Sequence, residues 1–70
     1  MSLMGEAFLM EKYGMRLGVP QLAEVLGVKE QTIYHGISQG TLGIATYVDK
    51  KQRWADVRDV ANYFDAVRPS

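Results

Sequence analysis

Several chemistries are excluded by what this sequence lacks. It contains no cysteine, so it has no disulfide, no thiolate metal ligand and no cysteine nucleophile. Its single histidine, His35, has no partners at metal-binding or catalytic spacing, and there is no glycine-rich phosphate-binding loop. Asp56 and Asp59 are better explained as helix-capping residues than as a catalytic pair. We therefore expect no metal, no cofactor and no enzymatic activity.

Long hydrophobic runs are also missing. No apolar segment approaches the roughly 18 residues that are needed to span a bilayer. The opening "MSLMGEAFLMEKYG" has no basic leader and carries Glu6 and Glu11, which argues against a signal peptide. These observations predict a protein without membrane contact, and the absence of cysteine fits a reducing cytoplasm, so we expect a cytoplasmic protein. Met4 is interpreted as the natural start, with residues 1–3 as an added segment.

Net charge is absent as well, because eight basic and eight acidic side chains give a formal charge of zero. This argues against a histone-like protein that binds nucleic acid by bulk charge alone. A protein that reads a DNA sequence remains compatible, because the distribution of charge over its surface matters more than the sum. The middle of the chain is modestly basic, with Glu30 and Asp49 set against four cations: Lys29, Lys50, Lys51 and Arg53.

What the sequence does contain is the composition of an ordinary folded domain, with 47% hydrophobic and 23% charged residues. The 70 residues are too few for more than one domain, so we assign residues 1–70 to a single domain. A core of this size rarely supplies more than about 3–5 kcal/mol of net stability. We therefore expect dimerisation or ligand binding to contribute to stability.

Hydrophobic spacing predicts three short helices in the first half of the chain. Pro20 suits the first turn of the second helix, where its missing N–H is not needed. Ile33 and Ile37 are spaced i, i+4 on the buried side of the third. Each helix is followed by a glycine that is typical of a helix end. The helices are placed at about residues 5–13, 20–26 and 29–39, with Gly14, Gly27 and Gly40 after them.

The pattern then changes to the alternation of a strand. In "LGIATYVDKKQRWA", residues 44–48 alternate between two faces, with Ile44, Thr46 and Val48 together on one of them. A polar turn over residues 49–51 leads to a second strand at residues 52–54. This predicts a β-hairpin over residues 44–54 with basic residues at its tip.

The last segment, "DVRDVANYFDAVRP", predicts a fourth helix. Asp56 is a good N-cap residue, and Asp59 places a second carboxylate near the positive end of the helix dipole. Pro69 lies just past the expected end. The apolar stripe of this helix is Val57, Val60, Ala61, Phe64 and Val67. The predicted fold class is mainly α with a small β-hairpin, in the order α-α-α-β-β-α.

Two short helices joined through a glycine are the sequence pattern of a helix-turn-helix. Ala23 is small enough to let the two helices cross closely, and Gly27 can adopt the positive φ that the turn requires. A helix-turn-helix followed by a hairpin and a closing helix predicts a winged helix-turn-helix. The small core between the two helices is assigned to Leu22, Leu26, Val28 and Ile33.

The run "VPQLAEVLGVKEQTIYHGI" resembles the helix-turn-helix of small DNA-binding regulators from phages and mobile elements. In AlpA-type regulators and excisionases of the MerR-like winged-helix kind, such a pair is followed by a glycine, a hairpin wing and a closing helix. Here "TIYHGISQGTLG", the hairpin and "WADVRDVANYF" follow in that order. The segments "AFLMEKYG", "VPQLAEV" and "VRDVANYFDAVR" are similar to the pyocin activator protein family of phage-type transcription regulators. That resemblance covers nearly the whole chain.

The resemblance implies a sequence-specific DNA-binding protein of a phage or mobile element. A transcription regulator, which recruits or blocks RNA polymerase, is the preferred interpretation. One alternative is an excisionase, which bends DNA beside an attachment site and recruits integrase. Another is a protein-interaction module that does not bind DNA. Because one copy carries few basic groups, we expect a homodimer or a cooperative array on double-stranded DNA.

If the third helix enters the major groove, its outward side chains are the candidate readers of base edges. Glutamine can bond adenine, threonine can offer a hydroxyl or a methyl group, and lysine can pair with guanine or phosphate. The hairpin would act as a wing on the backbone or in the minor groove. The predicted DNA-binding residues are Lys29, Gln31, Thr32, Tyr34, His35 and Gln39 on the helix, and Lys50, Lys51 and Arg53 on the hairpin.

The simpler alternative is that these residues form a solvated helix face and a solubilising turn. Tyr34 is interpreted as a packed rim residue with its hydroxyl at the surface. Arg16 and Arg58 are further candidates for phosphate contacts. Trp54 and Phe64 are assigned to the core.

Gly36 is unusual, because a glycine inside a helix costs roughly 1 kcal/mol relative to alanine. Two accounts are open at this point. Either the missing side chain lets the helix sit close to DNA, or the glycine only loosens the last helical turn.

Overall fold

Four helices and three short strands follow one another in the computed structural model, which describes residues 3–67. Met1 and Ser2 of the segment interpreted as added, and Pro69 past the last helix, lie outside the described residues. The elements are α1 (Leu3–Tyr13), β1 (Arg16–Gly18), α2 (Val19–Leu26), α3 (Glu30–Gln39), β2 (Tyr47–Asp49), β3 (Gln52–Asp56) and α4 (Val57–Val67).

The predicted fold class is confirmed. The helices α2 and α3 pack against each other as a helix-turn-helix, the hairpin of β2 and β3 follows, and α4 closes the domain against α1. The protein is a winged helix-turn-helix, mainly helical with a small antiparallel sheet.

One strand, β1, was missed by the sequence interpretation. It pairs antiparallel with β3, with Leu17 opposite Ala55, so the sheet has three strands in the order β1-β3-β2. Leu17 and Ala55 are both fully buried. A strand of three residues is too short to produce a periodic hydrophobic pattern, which explains the omission. Because β3 has a neighbour on both sides, the hairpin is tied to the domain through the sheet.

The turn between α2 and α3 is built as predicted around Gly27, whose φ of +70° lies in the left-handed region that glycine adopts readily. The amide of Val28 donates to the carbonyl of Ala23 at 3.0 Å. Leu22 and Ile33 are buried between the helices, as expected. Val28, which was assigned to the same core, is instead 40% exposed, because it lies in the turn itself.

The hairpin begins later than predicted. Strand β2 starts at Tyr47, which pairs with Trp54 of β3. The residues of β3 beyond Trp54 pair only with β1, so residues before Tyr47 have no partner in the hairpin. Ile44 is buried, but it lies in the segment before the strand. The expected common face of Ile44 and Val48 is therefore wrong, and Val48 is 60% exposed.

Helix α4 begins after Asp56, and the predicted cap is present. The Oδ1 atom of Asp56 accepts a hydrogen bond from the backbone amide of Arg58 at 2.8 Å. Val57 and Val60 are fully buried and fix the helix to the core. The predicted apolar stripe does not extend to the end of the helix, since Val67 is 57% exposed.

Gly36 is buried on the inner side of α3, so the account that it lets the helix approach DNA is wrong. A Cβ atom at this position would lie 3.3 Å from the Cβ and 3.4 Å from the Cα of Leu42. The amide of Thr41 donates to the carbonyl of Gly36 at 2.9 Å. The glycine therefore lets the chain that leaves α3 pass directly over the helix, a packing role that neither account contained.

Candidate nucleic-acid interface

Helix α3 is anchored by one side and presents the other to solvent. Ile33 is buried and Ile37 is half-buried, as the spacing predicted, and Gly36 is buried beside them, which was not predicted. Ser38 is exposed on the same helix and was not singled out from the sequence. The predicted readers on this helix are all exposed: Gln31, Thr32, Tyr34, His35 and Gln39.

Lys29 lies at the N-cap of α3, one residue before the helix begins. Its backbone is extended, with φ −79° and ψ 153°, and its carbonyl accepts from the amides of Thr32 and Ile33 at 3.0 and 3.3 Å. Its side chain is exposed and does not cap the helix. The lysine ammonium is therefore available at the end of the helix that carries the predicted readers.

A groove of about 480 Å³ separates α3 from the hairpin, and we call it the α3–hairpin groove. Glu30 and Tyr34, one helical turn apart, line its helix side. The remaining lining residues are Gly18, Val19 and Pro20 at the start of α2 and Val48, Lys51, Gln52 and Arg53 on the hairpin.

This groove brings together Tyr34, Lys51 and Arg53 from the predicted set and adds two residues, Glu30 and Gln52, that were not predicted. The i, i+4 spacing of Glu30 and Tyr34 was visible in the sequence and could have placed both on one helix face. Other predicted readers lie elsewhere on α3, along a separate shallow surface lined by Gln31, Thr32 and His35.

Lys50 and Lys51 form the two-residue turn at the tip of the hairpin, where Asp49 pairs with Gln52. Their φ angles are 52° and 68°, so both lie in the left-handed region. Two positive φ angles are typical of the type I′ turn, which favours Asn-Gly. A residue with a side chain costs roughly 1–2 kcal/mol in this conformation. The tip therefore holds two exposed cations at a conformational cost.

Arg53 lies in the wall of the groove. It is half-buried, and its Nη1 atom donates to the Oγ1 atom of Thr46 at 2.9 Å. This hydrogen bond to a neutral partner orients the guanidinium without neutralising its charge.

Arg16 spans the sheet from β1 to β2. Its guanidinium carbon lies 3.9 Å from the centre of the Trp54 ring on β3, and its Nη1 atom lies 2.8 Å from the Oδ2 atom of Asp49. The Nε1 atom of Trp54 donates to the carbonyl of Asp49 at 3.3 Å. The hydrogen bond to Asp49 raises the pKa of Arg16. Arg16 is thus a structural residue of the sheet, and the structure does not support its predicted phosphate contact.

Two other cations are also engaged in ion pairs. The Nζ atom of Lys12 lies 3.6 Å from the Oε1 atom of Glu24, and the Nε atom of Arg58 lies 3.3 Å from the Oδ1 atom of Asp56. The side chain and the amide of Arg58 together hold the pKa of Asp56 below its ordinary value. Because Arg58 pairs with this carboxylate, its predicted phosphate contact is not supported either.

The remaining cations within residues 3–67 have no ion pair. They share one location, since each lies at the N-terminus of α3 or on the hairpin. These cations are Lys29, Lys50, Lys51 and Arg53.

A second surface lies between α1 and α4 and is apolar. Phe8 is 63% exposed there, beside the half-buried Val25 and Phe64. These residues line a depression of about 240 Å³.

In the described part of the chain, no three histidine, aspartate or glutamate side chains are grouped so that they could hold a metal ion. None of the helices within residues 3–67 is both long and apolar enough to cross a membrane. No protein-family model, curated protein or solved structure matches this chain. The geometry of α3, the hairpin and the charges around them is therefore what a functional proposal depends on.

Proposed function

We propose that this protein binds double-stranded DNA sequence-specifically, as a transcription regulator of a phage or mobile element. Helix α3 enters the major groove, and the hairpin contacts phosphates or the minor groove beside it. One observation carries the proposal: within residues 3–67, every cation without an ion pair lies at the N-terminus of α3 or on the hairpin.

A neutral protein cannot be held on DNA by its total charge, so local charge must supply the attraction. The slope of log K against log salt is negative, and each phosphate contact contributes roughly 0.9 to its magnitude. The four unpaired cations therefore support a slope magnitude of up to about 3.6 for one copy. This is modest, which favours two or more copies on the DNA.

The exposed face of α3 offers the hydrogen-bonding groups that base edges require. Gln31 can bond adenine in a bidentate manner, and Thr32 can offer a hydroxyl to a base or a methyl group to thymine. His35 lies beside them and can donate to a phosphate or a base acceptor. Phosphate contacts would position the protein, and these side chains would supply specificity.

The proposal predicts a distinct salt dependence for a variant without the hairpin lysines. Fluorescence anisotropy with a labelled duplex of mixed sequence is measured at several salt concentrations for the wild type and for Lys50→Ala/Lys51→Ala. The variant should bind all duplexes more weakly. The magnitude of its salt slope should fall by up to about 1.8, because each lost phosphate contact removes roughly 0.9.

The matched control is Lys12→Ala/Arg58→Ala, which removes the same charge from two cations that are already paired. Its salt slope should stay near that of the wild type. Equal effects of the two double variants would show that the docking mode is wrong. If the wild type fails to bind DNA even at low salt, the DNA-binding proposal is overturned.

That last outcome would favour a protein-interaction module, the second candidate function. The apolar depression lined by Phe8, Val25 and Phe64 is the observation that supports it, because aromatic residues are enriched at protein interfaces. Within DNA binding, footprinting separates the two remaining roles. Protection of a promoter supports a regulator, and protection of an attachment site supports an excisionase. Analytical ultracentrifugation with and without DNA tests the expected homodimer or cooperative array.

A further inference from the structure

Glu30 is the single acidic side chain among the residues that line the α3–hairpin groove. It is the first residue of α3, it is exposed, and it shares the groove with Lys51 and Arg53. Within the described residues it forms no ion pair with either cation. A carboxylate therefore remains available at the place where the proposed DNA-binding cations gather.

A carboxylate at this place is poorly suited to contact the DNA backbone. When ionised it can only accept hydrogen bonds, and it repels phosphates. Base edges in the major groove differ in the groups they present. Cytosine presents only its N4 amino donor there, whereas guanine presents the acceptors O6 and N7 and thymine presents the acceptor O4. Adenine also presents an amino donor, N6, but its acceptor N7 lies beside that donor and disfavours a carboxylate, so cytosine is the base that suits this acceptor best. Residues at the N-terminus of a recognition helix are those that contact base edges.

We propose that Glu30 is a specificity-determining residue that accepts a hydrogen bond from the N4 amino group of a cytosine. This inference rests on the proposed DNA binding. Lys51 and Arg53 hold the phosphates beside the groove, and Tyr34 lies one turn further along the helix wall. A guanine or thymine in place of the cytosine sets an acceptor against the carboxylate. The site rejects those bases because both groups lose their hydrogen bond to water without gaining another.

The test is selection of binding sites from a random duplex library with the wild type and with Glu30→Gln. Glutamine has nearly the same shape, keeps one acceptor oxygen and adds a donor. The wild type should select a site in which replacing one cytosine by guanine or thymine weakens binding about tenfold or more. In Glu30→Gln, discrimination at that position should fall to about twofold, while preferences elsewhere stay unchanged.

Glu11→Gln is the matched control, since it makes the same charge change on an exposed residue of α1 outside the groove. It should retain the full cytosine preference. Thermal unfolding of both variants shows whether either change acts through folding.

Two results would overturn the inference while leaving DNA binding intact. One is an unchanged base preference in Glu30→Gln. The other is a gain of affinity in Glu30→Gln that is equal for all duplexes, which would make Glu30 a source of charge repulsion only. Failure of the wild type to bind any duplex would instead overturn the proposed function.

Discussion

The surface formed by α3 and the hairpin differs from the surface formed by α1 and α4 in whether its cations form ion pairs with carboxylates. Lys12 on α1 and Arg58 on α4 are each paired with a carboxylate, and the apolar Phe8 of α1 is exposed. On the surface of α3 and the hairpin, the cations have no ion pair, and two of them occupy a strained turn. Exposed ion pairs contribute little to stability, so the pairing mainly determines where positive charge is left to act. Although the net charge is zero, the unpaired positive charge is therefore concentrated at the N-terminus of α3 and on the hairpin.

The largest expected effect comes from removing the anchor that holds α3 in place. Ile33 is fully buried, so Ile33→Ala should lower the free energy of unfolding by about 3 kcal/mol, through lost burial and the cavity left behind. Urea denaturation measures the change. Ser38→Ala, at an exposed position of the same helix, should change the free energy of unfolding by less than about 0.5 kcal/mol. Similar losses in both variants would contradict the placement of α3.

A smaller effect, with opposite signs for stability and binding, is expected at the hairpin tip. Lys50→Asn/Lys51→Gly should raise the free energy of unfolding by about 1 kcal/mol, because Asn-Gly suits a type I′ turn. The same variant should bind DNA more weakly, because it loses two cations. Thermal unfolding and anisotropy measure the two effects.

The control for the hairpin tip is Lys50→Ala/Lys51→Ala, which removes the charge and keeps side chains at both positive φ angles. It should lose affinity without the gain in stability. A variant that gains stability and keeps full affinity would show that the tip cations do not contact DNA.

The smallest effect is the pH-dependent part of the stability that the Asp56–Arg58 pair contributes. The pKa of Asp56 is lowered by the side chain and amide of Arg58. A lowered folded-state pKa means that the ionised carboxylate stabilises the fold above its ordinary pKa of 3.8. This contribution is lost as the pH falls through the lower folded-state value.

Asp56→Ala should cost about 1 kcal/mol at neutral pH, through loss of the helix cap. Asp56→Asn keeps a cap but removes the titration. The stabilities of the wild type and Asp56→Asn should therefore converge as the pH falls below about 4. Thermal unfolding across this pH range measures the difference. A difference that does not change with pH would contradict the role assigned to the carboxylate.

The features that could be predicted from the sequence are those that depend on residues close together in the chain. The helices, the turn at Gly27, the cap at Asp56 and the outward face of α3 follow from spacing and from the preferences of single residues. The hairpin was predicted, but its first strand was placed too early, because Ile44 is buried without being paired. In a short segment, an apolar residue that is buried in a loop and one that is paired in a strand produce the same alternation of apolar and polar residues in the sequence.

The features that were missed depend on contacts between distant parts of the chain. Arg16 and Asp49 are 33 positions apart, and nothing in either neighbourhood indicates that they pair across Trp54. The packing of Gly36 against Leu42 requires knowledge of the path that the chain takes after α3. The candidate site was predicted as a set of exposed residues. The groove that separates Tyr34 from the hairpin, and the carboxylate of Glu30 within it, required the fold.

The position of Trp54 gives this protein a built-in optical reporter. It is the only tryptophan in the chain, its ring lies beneath the Arg16 guanidinium, and its indole nitrogen is bonded to the carbonyl of Asp49, next to the hairpin tip. Any shift of the hairpin relative to β1 would change the polarity and the charge around the indole. Intrinsic fluorescence can therefore follow the hairpin as DNA is titrated, without a dye on either molecule.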